Sequence, residues 1–171
     1  MKNIIILIAI LIVGGVATLY FLNRPSSQEA TLGGFENAVA EFTIDYAKLE
    51  KLAENHPRGA EFLARIRERD AWLTDDNSEN DREAYELIAF DMRQLGDDES
   101  SILGYRASIS LFENNIFSWN NLAVSYQEIG EYKKAEVAFK KIIEISPGDV
   151  PNYRKLADLY LYDLTSKESE I

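Results

Sequence analysis

Residues 117–147 read FSWNNLAVSYQEIGEYKKAEVAFKKIIEISP, and this stretch decides the fold. Trp119, Leu122, Ala123 and Tyr126 fall three or four apart, so a helix would carry all four on one face. Ala123 is small where a neighbouring helix must come close. Gly130 then supplies the positive φ that ends a helix without a Cβ clash. A second helix is predicted from about Glu131 to Ile145, with Ala135, Ala138, Phe139, Ile142 and Ile143 turned inward. Its outer face carries Glu136, Lys140 and Glu144, opposite-charge neighbours one turn apart. Pro147 and Gly148 stop it, because proline cannot continue a helix and disfavours helical geometry in the residue before it.

The same residue types return at a fixed interval of 34. One interval earlier stand Tyr85, Ile88, Ala89 and Met92; one interval later stand Tyr153, Leu156, Ala157 and Tyr160. Gly96 answers Gly130, and each glycine follows a large aliphatic residue, Leu95 or Ile129. A period of this length with a large–x–x–large–small–x–x–large opening resembles the tetratricopeptide repeat, a helix–turn–helix unit that stacks into a solenoid. The resemblance runs from Arg82 to about Leu164, and the repeat region 82–171 divides into units 82–115, 116–149 and a partial or capping unit 150–171. It weakens away from the centre. Ser101 stands at the family's second-helix alanine, and Glu113 at its terminal proline. In the last unit Pro151 suits a first helical turn, but Leu164 holds the glycine position.

The N-terminus carries the second strong signal. Residues 4–22 form an apolar run of 19 without a charge, with Thr18 as the polar exception and Tyr20 and Phe21 near its end. At ~1.5 Å per residue a helix of that length spans roughly 28 Å, close to the ~30 Å hydrocarbon core of a bilayer. We read residues 1–23 as an uncleaved transmembrane anchor. The rival reading is a signal peptide cut after Gly15-Val16-Ala17, which leaves Leu19 to Leu22 exposed at a new terminus. The amine and Lys2 before the run, against Arg24 alone after it, favour the helical domain on the extracytoplasmic side, periplasmic or extracellular.

All 29 carboxylates follow the anchor, and the whole chain carries a net charge of −11. That balance argues against a nucleic-acid partner, which needs concentrated positive charge. The chain has no cysteine, so disulfides, thiolate metal sites and thiol redox chemistry are excluded. His56 is the single histidine and precedes Pro57 in a turn, which leaves no zinc site of the usual kind. No nucleophile elbow or phosphate-binding glycine loop is present, and neither an enzyme nor a cofactor is expected.

Residues 24–34, polar and rich in Ser and Gly, read as a flexible linker. Residues 35–81 read as a helical hairpin outside the 34-residue register. In it Phe35, Val39, Phe42, Tyr46, Leu49 and Ala53 follow alternating steps of four and three, a long amphipathic helix. That spacing also allows contact with a second copy of the chain, a homo-oligomer. A second helix using Phe62, Leu63, Ile66 and Leu73 follows the His56–Gly59 break. Asp75, Asn77, Glu79, Glu83 and Glu86 occupy positions 1, 3, 5, 9 and 12 of a calcium-loop spacing. Asn80 replaces its turn glycine, so the preferred reading is a solvated acidic loop with Asn80 capping the next helix and Glu83 completing a capping box.

The fold class expected is all-α: a transmembrane helix, a helical hairpin and a short tetratricopeptide-like solenoid. The resemblance implies an adaptor or scaffold that binds a protein or peptide, and the apolar run 4–22 makes it membrane-anchored. In such arrays the first helices of each unit line the concave face. The positions that point into it hold Glu86 and Phe90, Asn120 and Val124, and Arg154 and Asp158, extended by Arg93, Gln127, Leu161 and Tyr162. Chaperone-binding members of the family clamp a terminal carboxylate with Lys, Arg and Asn. Glu86, Phe90 and Val124 do not supply that cluster, so apolar anchors on the partner are expected. A self-associating envelope protein and a calcium-responsive sensor are the alternatives.

Overall fold

The computed structural model describes residue 32, residues 34–73 and residues 78–164, the side chains of 78, 79 and 162–164 excepted. The apolar run 4–22, nearly all of the linker and the acidic residues 74–77 lie outside them. Among the described residues no helix is long and apolar enough to cross a membrane.

The helices are α1 (Ala38–Glu41), α2 (Tyr46–Glu54), α3 (Gly59–Trp72), α4 (Ser78–Gln94), α5 (Asp98–Leu111), α6 (Ile116–Glu128), α7 (Tyr132–Ile145) and α8 (Val150–Asp158), the last passing into a π-helical turn at Leu159–Leu164. Each helix from α2 to α8 packs on its successor, whereas α1 lies across α5. No strand occurs among the described residues.

Local chemistry sets the helix ends. Asp45, Asp97 and Asn115 each accept a backbone N–H three residues on, capping α2, α5 and α6. Gly96 and Gly130 have φ of 86° and 76°. After each glycine the next N–H reaches back to the carbonyl five residues earlier, Asp97 to Met92 and Glu131 to Tyr126, at 2.9 and 2.8 Å. This is the left-handed glycine closure of a helix, repeated 34 residues apart. No glycine closes α8, since Leu164 holds that position, and the chain runs on into the π-helical turn.

Two cores share α4 as a wall. Ala89 faces the larger core, where Tyr105, Ile109, Trp119, Leu122, Tyr126, Phe139, Ile142 and Leu159 are buried. Ile88 and Met92 face the smaller one, with Leu49, Phe62, Leu63 and Ile66 of the α2–α3 hairpin. Trp119 and Phe139 are buried as the periodicity predicts, at 4% and 2% exposure. The α5–α6 contact uses small polar side chains instead. Ser101 pairs with Ser125 and Ser108 with Ser118, each Oγ–Oγ distance being 2.9 Å. Both helices place their serines seven residues apart, two turns on one face, so the antiparallel pair meets in register.

Three expectations change. The helix read through Phe35 to Ala53 is broken, since Phe42 leaves α1 in extended backbone and Asp45 starts α2 afresh. The break lets Phe42 meet Tyr85 edge-on at 5.1 Å and pack beside Gly104, where an added Cβ would come within 3.0 Å of its ring. Second, α4 begins at Ser78, so Asn80 lies within the helix and is not its cap. Third, the same helix spans positions 4 to 12 of the calcium-loop spacing, which requires a non-helical loop there. Glu86 is occupied elsewhere: its Oε2 accepts from Asn115 Nδ2 and from Ser118 Oγ at 3.2 Å. Among the described residues no group of three potential metal ligands occurs; Asp75 and Asn77 are not described.

Candidate functional site

The first helices of successive units, α4, α6 and α8, bring most of the anticipated residues onto one surface. Phe90 of α4 is half-buried and meets Phe117 of α6 at a ring distance of 6.2 Å. The Arg93 guanidinium stands 5.9 Å from the Phe90 ring, and its Nη2 donates to Asn121 Oδ1 at 3.4 Å. Asn121 is buried and also donates to the Phe117 carbonyl at 2.9 Å, which fixes its amide. One turn along α6, Val124 and Gln127 are half-buried. Asn120 accepts from Lys155 of α8 at 2.5 Å, tying the third helix to the second. Arg154 and Asp158 are exposed on α8. The Tyr162 side chain lies outside the described residues.

Glu86 does not join this surface. Its carboxylate turns toward the α5–α6 junction and is held by Asn115, Ser118 and Arg82. It positions the start of α6, and so places Phe117. Three residues on the surface were absent from the sequence-based set: Phe117, Asn121 and Lys155. The signal for two of them lies in helical spacing. Phe117 and Asn121 are seven and three residues before Val124, on the same stripe of α6.

Polar groups lie beneath one end of the surface. Tyr105 is fully buried, and burial pushes its phenol far above the ordinary range. Burial also raises the Asp98 carboxyl, helped by the negative charge of Glu128 and opposed by Arg93. The surface thus combines an aromatic pair, a cation held over it, and amides that keep donors and acceptors in fixed places. Nothing in that set is a nucleophile beside a base; it is the chemistry of recognition.

A second concavity, of about 680 Å³, lies where the N-terminal segment meets the second helices of the units; Phe35, Val39, Ile109, Leu111, Trp119 and Val137 are among its lining. Phe35 packs edge-on against Trp119 at 5.4 Å. Arg106 holds the segment on α5, donating to the Gly34 carbonyl at 2.9 Å and pairing with Glu41 at 3.5 Å.

Residues 116–149, which are α6, α7 and their closing turns, match the family model of the tetratricopeptide repeat. The match coincides with the central unit of the 34-residue period. Such repeats point to protein–protein interaction. No curated protein matches the chain.

Proposed function

We propose that the protein is a single-pass, membrane-anchored adaptor of the tetratricopeptide repeat family that binds another protein through the face of α4, α6 and α8. The observation that carries the reading is the pairing of Phe90 and Phe117 across adjacent units, with Arg93 over Phe90. An aromatic pair that is half open to solvent, beside fixed amides, suits a helix or peptide with a hydrophobic anchor. Phe90, Arg93, Asn120, Val124, Gln127, Arg154, Asp158 and Tyr162 form the proposed contact set, to which Phe117 and Asn121 are added. Catalysis has no part in this reading.

The apolar run 4–22 supports the anchor, and the charge asymmetry around it supports an extracytoplasmic domain. Two experiments test the reading. A photoreactive residue at Val124 of the intact chain in its native membrane should crosslink one discrete partner, whereas the same residue at Lys133 on α7 should not. The full chain should stay with membranes after alkaline extraction. Crosslinking from Lys133 alone, or release of the full chain, contradicts the respective half.

A further inference from the structure

Among the eight exposed large hydrophobic residues of those described, Val39 and Leu111 line one concavity, and Phe112 and Ile116 bound the α5–α6 loop that follows Leu111. Scattered exposed hydrophobics are ordinary on a protein surface, but a contiguous group marks a contact. Phe112, at 52% exposure, and Leu111, at 48%, are among the most open, although the α5–α6 loop could have carried polar residues at no cost to the core. Arg82 stands 6.0 Å from the Phe112 ring. Glu113 in the same loop pairs with Lys141 at 2.7 Å.

The chain enters the domain at this corner. Leu32, Phe35, Val39 and Leu111 line one concavity. Nine peptide links separate Leu32 from Asn23, the residue that follows the apolar run. At ~3.3–3.6 Å per residue they reach at most roughly 30 Å. An anchor in the bilayer therefore holds this corner near the lipid, at a high effective concentration that lets even a weak surface contact persist. Aromatic side chains favour the interfacial zone, and an arginine beside them can meet phosphate.

We propose that the α5–α6 corner, centred on Leu111, Phe112 and Ile116, rests in the headgroup layer of the membrane that carries the anchor and fixes the tilt of the domain. The occupant is the lipid surface itself, and zwitterionic lipid suffices because the contact is apolar. The proposal rests on the anchor reading above. Phe117, whose ring faces Phe90 on the α4–α6–α8 surface, is not part of this contact.

The absence of cysteine allows single nitroxide labels on the full chain in phosphatidylcholine vesicles. Labels at Phe112→Cys and Ile116→Cys are compared with Ile129→Cys, which has similar exposure at the other end of α6, and with Val13→Cys inside the apolar run. Labels at 112 and 116 should be several-fold less accessible to a water-soluble nickel chelate than the label at 129, and more accessible to oxygen. Two labelled sites guard against misfolding of either variant, which helical circular dichroism checks. Equal nickel accessibility at 112, 116 and 129, with 13 shielded, overturns the proposal while leaving the anchor intact. Exposure at 13 overturns the anchor and the proposal together. Strong dipolar broadening between labels at 112 on different copies also overturns it, in favour of self-association through this corner.

Discussion

The α6–α7 unit and the α2–α3 hairpin are both pairs of short antiparallel helices, yet different forces hold them in place. In α6–α7, Ala123, Ala135 and Ala138 let the helices approach, and Trp119, Leu122, Phe139 and Ile142 fill what remains. The hairpin has its own apolar core, where Leu49, Phe62, Leu63 and Ile66 meet Ile88 and Met92, but adds charge pairs to buried carboxylates that have no equivalent in the repeat unit among the described residues. Buried Asp91 of α4 accepts from Arg65 Nε at 3.0 Å and Arg69 Nη1 at 2.7 Å, both from α3. Lys48 of α2 reaches the buried Asp97 at 2.7 Å, and hydrogen bonding to that carboxylate raises the lysine's pKa. Tyr46 donates to Asp70 at 2.7 Å. Apolar shape recurs and can be stacked again; charge pairing is specific to one place. The difference explains why one region follows a period and the other does not.

The comparison breaks first where shape dominates. Trp119→Ala or Phe139→Ala should cost ~3–5 kcal/mol, the range for emptying a buried aromatic site. That is a large part of the ~5–15 kcal/mol available to a whole domain. Urea unfolding should show it as a loss of the entire helical signal. Asp91→Ala removes the shared partner of two arginines, and we expect about 3 kcal/mol. Hydrogen exchange should then quicken in α2, α3 and the facing turns of α4 while α6 and α7 keep their protection. Uniform loss of protection would show that the two regions do not differ as argued.

Gly104 sits where the regions meet. A Cβ there would lie 2.8 Å from the Ala89 Cβ and 3.2 Å from the Tyr85 carbonyl, and neither can swing aside. Gly104→Ala should destabilise by ~1–3 kcal/mol through overpacking, read as a lowered melting temperature. Ser125→Ala should do least, about 1 kcal/mol. Ser101 keeps its bond to the Asp98 carbonyl at 2.8 Å when its partner hydroxyl is removed. A larger loss would mean that the serine pairs specify the α5–α6 register more strongly than shape does.

How much was legible in the sequence follows the same division. Periodicity exposes a residue's face, so the burial of Trp119, Leu122, Tyr126 and Phe139 could be read directly, as could the closures at Gly96 and Gly130. Step counting predicts an unbroken helix through Phe42 because it ignores local breakers. Asp45, a good cap after the β-branched pair Thr43 and Ile44, was the available signal. The pairing of Asp91 with Arg65 and Arg69 joins residues more than twenty apart, and no pattern in one sequence links them. Phe117 stands at the first turn of α6, ahead of the Trp119–Tyr126 stripe, and is 43% exposed.

The central claim is that the α4–α6–α8 face holds the partner. The most direct test is the dissociation constant of the crosslinked partner for Phe117→Ala, since that ring is open enough to remove with little loss of stability. An aromatic hot spot contributes ≥ ~2 kcal/mol of affinity, so binding should weaken tenfold or more while the melting temperature stays close to that of the unaltered protein. Unchanged affinity in a well-folded Phe117→Ala protein would contradict the account.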